Sequence, residues 1–340
     1  MILCLKPLHG FVIGETANGK KDIKVFSGDA VAIRRTGSGY VSCPLSYGDI
    51  FTYIDIPCGQ CIECRLAYSR QWACRMMLEA QNYEHNYFLT LTYSDVNLPL
   101  SYVPDMETGE AIPVGTLYKK DLQDFHKRLR RRLEYAGRGN FRYYSCGEYG
   151  SQSFRPHYHG IYFGLQLDDL KFYKKSFNGC DYFTSDFLSQ VWGHGFVIVA
   201  DVTFESCAYV ARYCTKKLNG EYKEFYDTFN IAPEFSLMSR NPGIGRDYFD
   251  LNWRDFYYHD EIILPSNKGS ITVKPPRYYD NLLSGLDNEL YEITKERRIQ
   301  CAKIAQREKL LQTNLSVDEL SDNRKQLFKK RLKMLLRKEI

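Results

Sequence analysis

Residues 155–164 read RPHYHGIYFG. On a β-strand alternate side chains share a face, so His157 and His159 point one way and Tyr158 the other. Two imidazoles held side by side suit one divalent cation. The preceding stretch FRYYSCGEYG (141–150) reads as a partner strand joined by a short loop, a hairpin. Pairing across that loop brings the Glu148 carboxylate beside the imidazoles. Two histidines and a carboxylate with open coordination positions make a catalytic metal site rather than a closed structural one. An isolated His-x-His also occurs as a hydrogen-bonded surface pair, so further residues must decide. Two other histidine chemistries are excluded. A histidine-triad hydrolase needs a third alternating histidine, and position 161 is Ile; a zincin needs H-E-x-x-H, which is absent.

The deciding residues lie in ESCAYVARYCTKK (205–217), which reads as a helix. Tyr209 and Tyr213 are four apart and share a helix face, and Lys216 follows close to it. Such a helix can also bury its rings in a core. Beside a metal site, however, the chemistry is specific. A phenol, with a pKa of about 10, is a poor nucleophile until it is aligned or deprotonated. A metal on a scissile phosphate polarises the P–O bond. The tyrosine can then attack phosphorus and keep the bond energy in a covalent ester. A second tyrosine permits a second attack that rejoins the strand, and Lys216 balances charge on phosphate or phenolate.

These groups need a rigid scaffold. YFLTLTYS (87–94) alternates as a strand, with Thr90 and Thr92 on one face, and GFVIVADV (195–202) is another strand. RLAYSRQWACRMMLEAQN (65–82) and KKDLQDFHKRLRRRLEYAG (119–137) read as helices, the second with an apolar stripe of Leu122, Phe125, Leu129 and Leu133 and Gly137 at its C-cap. Strands and helices interleaved in short antiparallel units predict an α+β fold, a central antiparallel sheet with helices packed on it. We expect a Cys-containing N-terminal segment (1–84), a catalytic domain (85–280) and a basic helical tail (281–340), with the tail either a solvated helix or a contact to DNA backbone.

With 44% hydrophobic residues the chain has material for a core, while a charge of only +5 does not by itself prove a polyanionic partner. The distribution says more. Lys127, Arg128, Arg130, Arg131 and Arg132 cluster on helix 119–137, and with 27 Tyr and 20 Phe there are many rings to stack on unpaired bases. GETANGKK (14–21) nearly matches a phosphate-binding loop, but Lys21 replaces the magnesium-binding hydroxyl, and a hairpin turn is expected instead. Any unwinding therefore falls to another protein. No signal-peptide pattern and no membrane-length apolar run is present, so the 11 cysteines read as reduced thiols. Cys58, Cys61 and Cys64 follow C-x-x-C-x-x-C spacing, with Cys4 as the candidate fourth ligand for structural Zn2+ and Cys43 next. Iron–sulfur sites also use this spacing.

In order, FLTLTY, the His-hydrophobic-His of RPHYHGIYFG, and YVARYCTKK resemble the three motifs of the HUH endonucleases. PCGQCIECRLAYSRQWA, CGEYG, RPHYHG, DVTFESCAYVARYCTKK and PEFSLMSRNPGIG are similar to the replication initiation proteins of microviruses, in the gokushovirus branch. The resemblance runs from about residue 4 to 280. It implies a ferredoxin-like palm, and rolling-circle initiation on single-stranded origin DNA in the cytoplasm of an infected bacterium. His157 and His159 match the metal ligands, for Mg2+ or Mn2+; Glu148 takes the third position by spacing. Tyr209 and Tyr213 match the paired nucleophiles and Lys216 their lysine. Cys207 and Cys214 depart from the small or aliphatic residues expected in that helix. The product would be a 5′-phosphotyrosyl link and a free 3′-OH for a host polymerase, with a host helicase unwinding. A one-tyrosine transposase fits poorly with paired tyrosines, and a relaxase with tyrosines that follow the histidines. A non-catalytic single-stranded nucleic-acid-binding protein is the alternative of another class. Nothing in the sequence sets an oligomeric state.

Overall fold

The computed structural model describes residues 4, 6–17, 21–26, 32–43, 53–105, 107–150, 153–176, 179–213, 223–266 and 269–336. In chain order they form β1 (Leu8–Glu15), β2 (Lys21–Phe26), β3 (Ala32–Thr36), β4 (Gly39–Cys43), β5 (Tyr53–Ile56), α1 (Ile62–Ala80), β6 (Asn86–Tyr93), β7 (Leu100–Pro104), β8 (Ala111–Gly115), α2 (Lys119–Tyr135), β9 (Arg142–Tyr149), β10 (Pro156–Phe163), β11 (Lys171–Lys175), β12 (Asp181–Thr184), α3 (Asp186–Trp192), β13 (Gly195–Asp201), α4 (Phe204–Tyr213), α5 (Lys223–Thr228), β14 (Phe235–Met238), α6 (Arg246–His259), β15 (Ile262–Ser266), β16 (Gly269–Val273), α7 (Arg277–Leu286), α8 (Asn288–Leu311) and α9 (Val317–Leu336). The fold is α+β with a large antiparallel sheet, as expected. The chain divides into two compact units, 1–67 with 295–340, and 68–294.

In the first unit β1 pairs with β2 and β5. The β1–β2 hairpin contains the near-match to a phosphate loop, with Glu15 opposite Lys21. The sequence there makes a strand turn, not a strand-to-helix loop.

The second unit is built on a seven-stranded sheet in the order β11-β12-β13-β6-β10-β9-β14. Every neighbouring pair is antiparallel. Strand alternation gives it two apolar faces, and a separate hydrophobic cluster lies against each. One face offers Tyr144, Cys146, Ile161 and Phe163 to Trp72, Ala73 and Met76 of α1, Val210 and Ala211 of α4, and rings of α6 and α7. The other offers Leu89, Leu91, Tyr158, Tyr162, Val197 and Val199 to Leu122, Phe125, Leu129 and Leu133 of α2 and to Leu188, Val191 and Trp192 of α3. Helix α2 ends as the sequence predicts. Gly137 adopts φ +66°, and Gly137 and Arg138 donate backbone N–H groups to Glu134 and Leu133 carbonyls at 3.0 and 2.9 Å, a Schellman close.

Helix α1 also buries two charges. Arg75 lies between the rings of Trp72 and Tyr278, 4.0 and 3.7 Å from their centroids, and donates to the Ile244 carbonyl at 3.0 Å. Glu79, fully buried, pairs with Arg142 and accepts the Gly245 N–H at 2.6 Å. Together they pin the loop that follows β14, where a Cβ on Gly245 would meet the Arg75 carbonyl oxygen at 2.9 Å.

Candidate active site

Strand β10 carries both histidines between β9 and β6. His157 stands in register with Glu148 and Thr92, and His159 with Cys146 and Thr90. Directly paired residues share a face, so Glu148, both histidines and both threonines line one side of the sheet. Arg155 fixes the start of β10, donating to Asp95 at 2.6 Å and to the Tyr93 carbonyl at 2.7 Å. Gly160 follows the pair of histidines for a steric reason: a Cβ there would come within 2.7 Å of the Tyr162 ring.

The side chains converge on one atom. Glu148 Oε1 lies 2.7 Å from His157 Nε2 and 2.9 Å from His159 Nε2. Glu148 is 2% exposed and His159 7%, so this is a largely desolvated group. Burial pushes the Glu148 carboxyl up, but hydrogen bonds from both imidazoles outweigh it and hold it below its ordinary value.

The outer contacts orient the rings. His157 Nδ1 lies 3.0 Å from the Arg155 carbonyl. A carbonyl only accepts, so Nδ1 carries the hydrogen and a neutral ring turns the bare Nε2 toward the carboxylate. Two lone pairs cannot face each other at this distance without a positive charge between or on them. His159 Nδ1 lies 2.9 Å from Thr90 Oγ1, and Phe88 stacks on the His159 ring at 5.4 Å. The second carboxylate oxygen, Oε2, is buried without a hydrogen-bond partner. The ligand atoms of Glu148, His157 and His159 all lie within 4.8 Å of one another. This donor set fits a divalent cation, and the outer shell is the kind that metal-binding histidines require.

Helix α4 brings the phenol. Its start is closed reciprocally: Ser206 N–H donates to Thr203 Oγ1 at 3.0 Å and Thr203 N–H to Ser206 Oγ at 2.9 Å. Cys207, Val210 and Ala211 are fully buried. Cys207 behaves as a small apolar group, 3.8 Å from the Met77 sulfur, with its thiol pushed up by burial. That anchoring turns Tyr209 toward the sheet. Its hydroxyl donates to Glu148 Oε1 at 3.3 Å, and its ring stands edge-on to His159 at 5.2 Å. Tyr213 is the last residue of α4. Its side chain, Lys216 and Cys214 lie outside the described residues.

The basic cluster of α2 sits across the sheet from the histidines. Arg128 donates to the carbonyls of Val191 and Trp192 at 2.9 and 3.0 Å, closing α3. Arg130 lies over Phe141 and Arg131 over Tyr135, Lys127 pairs with Asp124, and Arg132 is exposed.

One feature of the site face was not read from the sequence. Thr92 is also in register with Phe196 of β13, so Glu148, His157, Thr92 and Phe196 form a row across four strands. Phe196 is 46% exposed. Tyr173 packs edge-on to it at 5.7 Å, with Lys174 over the Tyr173 ring. The alternation of GFVIVADV held the signal for which residues face together, but not that β13 lies beside β6.

A sheet with a His-x-His strand, an acidic partner strand and a tyrosine-bearing helix matches a family model described as replication-associated protein ORF2, over residues 86–218. The chain is 33% identical to the replication-associated protein ORF2 of Spiroplasma virus 4, over 95% of this chain and 94% of that protein. It is 31% identical to the replication-associated protein VP4 of Bdellovibrio phage phiMH2K, over 66% of each. To the replication-associated protein ORF4 of Chlamydia phage 1 it is 28% identical, over 71% of this chain and 58% of that protein. The chain belongs to the replication-associated proteins of the microviruses. No solved structure matches it. No helix among the described residues is long and apolar enough to cross a membrane.

Proposed function

We propose that this protein initiates rolling-circle replication by nicking single-stranded origin DNA with a tyrosine and later rejoining it. The observation that carries the reading is the convergence of His157, His159 and Tyr209 on Glu148 Oε1. Glu148, His157 and His159 would hold Mg2+ or Mn2+, which supplies Lewis-acid polarisation of the scissile phosphate. Glu148 and Thr90 set the positions of the two imidazoles. The Tyr209 hydroxyl, aimed at Glu148, attacks phosphorus; the P–O3′ bond breaks, and the chain keeps the 5′-phosphate as a tyrosyl ester with a free 3′-OH. Tyr213, one helical turn on, serves as the second nucleophile, and Lys216 as the charge partner.

The DNA strand approaches along the row that ends in Phe196 and Tyr173, where exposed rings can stack unpaired bases next to the histidines. The absence of a working phosphate loop in GETANGKK supports a division of labour. A host helicase unwinds, a host polymerase extends the 3′-OH, and both meet the protein in the cytoplasm of the infected bacterium.

The test uses single-stranded circular DNA carrying the viral origin, with Mn2+ or Mg2+. The reading predicts linear product with an extendable 3′ end and a 5′ end blocked by protein, lost in the Tyr209→Phe/Tyr213→Phe double variant. A free 5′-phosphate would overturn the tyrosine mechanism. Binding without cleavage in either metal would leave a single-stranded-DNA-binding protein.

A further inference from the structure

Four cysteines of the first unit meet at one point, away from any role in the reaction above. Cys4 precedes β1, Cys58 and Cys61 flank the turn after β5, and Cys64 lies in the first turn of α1. Their sulfurs all lie within 4.8 Å of one another, and Cys4 Sγ is 3.8 Å from Cys61 Sγ.

That distance decides between the chemistries four cysteines can share. A disulfide needs about 2.05 Å between sulfurs, and these thiols are free. An iron–sulfur cluster places each thiolate on a different iron and spreads them around the cluster, farther apart than this. A single tetrahedral ion with bonds of about 2.3 Å sets neighbouring sulfurs about 3.8 Å apart. We infer that Cys4, Cys58, Cys61 and Cys64 bind one structural Zn2+.

The backbone supports thiolates at this point. Cys58 N–H donates to Cys4 Sγ at 3.3 Å, and Cys61 N–H to Cys58 Sγ at 3.2 Å. Such outer-shell bonds stabilise a ligand's negative charge. Gly59, at φ +72°, lets the chain turn back so that the Cys61 amide faces the Cys58 sulfur. Cys64 sits at the positive end of α1. Cys43 ends β4 and is not one of the four.

The segment also needs a staple. Among the described residues before the cluster, Phe11, Ala32 and Ile33 are the buried apolar side chains, and strand β2 is exposed along most of its length. So little apolar burial cannot order a run of this length by itself, whereas a metal closing residue 4 onto residues 58–64 can.

The full chain, purified under reducing conditions without chelator, should contain about one zinc per chain by elemental analysis. The Co2+-exchanged protein should show the strong near-ultraviolet charge-transfer bands of a cobalt thiolate site. Cys58→Ser/Cys61→Ser should bring zinc close to zero, while Cys180→Ser and His157→Ala/His159→Ala leave it near one. If the double cysteine variant fails to fold, the cobalt spectrum of the unaltered chain still decides. Metal-free native protein, iron in place of zinc, a cobalt spectrum without thiolate bands, or zinc that follows the histidines would each overturn the site.

Discussion

Strand β10 divides two chemistries between its two faces. His157 and His159 look toward α4, and Tyr158 looks toward α2. Behind the sheet every strong polar group finds its partner at short range. The Tyr93 and Tyr158 hydroxyls are 2.7 Å apart, Tyr93 donates to Asp121 at 2.7 Å, and the Tyr158 oxygen meets the Tyr118 backbone at both its N–H and its carbonyl. His126 and Tyr162 are joined at 2.9 Å. Burial there enforces neutrality: it pushes Tyr158 up to about 12 and His126 down to about 3. In front of the sheet the polar groups are gathered rather than closed. Two imidazoles and a phenol share one carboxylate oxygen while its twin, Glu148 Oε2, is buried without a partner. The same residue types are core on one face and reactive on the other. What separates them is whether the local network is complete without a cation.

The strongest way to break this contrast is to remove a ligand. His159→Ala should lower metal-dependent cleavage about a thousand-fold, since a Lewis acid contributes several kcal/mol to the transition state. Equal cleavage by variant and parent would put the metal elsewhere. Thr90→Val removes only the outer contact to His159 and should weaken Mn2+ binding roughly 10- to 100-fold, read by titration. Phe196→Ala should weaken single-stranded DNA binding about tenfold, the loss of one stacked base, with Mn2+ affinity unchanged.

Behind the sheet the effects should be on stability alone. Tyr158→Phe leaves the Tyr118 N–H without its acceptor and should cost about 1–2 kcal/mol in denaturant unfolding while cleavage persists. The buried neutral His126 adds a pH dependence. Between its ordinary 6.5 and about 3, the unfolded chain binds a proton that the folded chain does not. Stability present above about pH 6.5 should therefore fall as pH drops toward 3, and less steeply in His126→Gln. Identical slopes would remove His126 from the account.

The local parts of this site were legible in the sequence. Strand alternation aligned the histidines, and a short hairpin placed Glu148 opposite His157, because both depend on neighbours within a dozen residues. Thr90 and Thr92 were legible as a shared face, yet their place beside the histidines depends on pairing between strands some 65 residues apart, which no local pattern encodes. The stripe of α2 showed that it packs but not on which face, so its arginines could not be placed relative to the histidines. Arg75 and Glu79 look like surface charges on α1; they are buried because the loop after β14 supplies their partners.

The most direct measurement is the identity of the DNA-linked residue. The covalent complex formed on single-stranded origin DNA is digested, and the nucleotide-bearing peptide is sequenced by mass spectrometry. The account predicts the phosphodiester on Tyr209 or Tyr213, dependent on Mg2+ or Mn2+, absent from His157→Ala/His159→Ala and retained in Tyr158→Phe. A linkage on Tyr158 or any other tyrosine, or one formed undiminished without the two histidines, would contradict it.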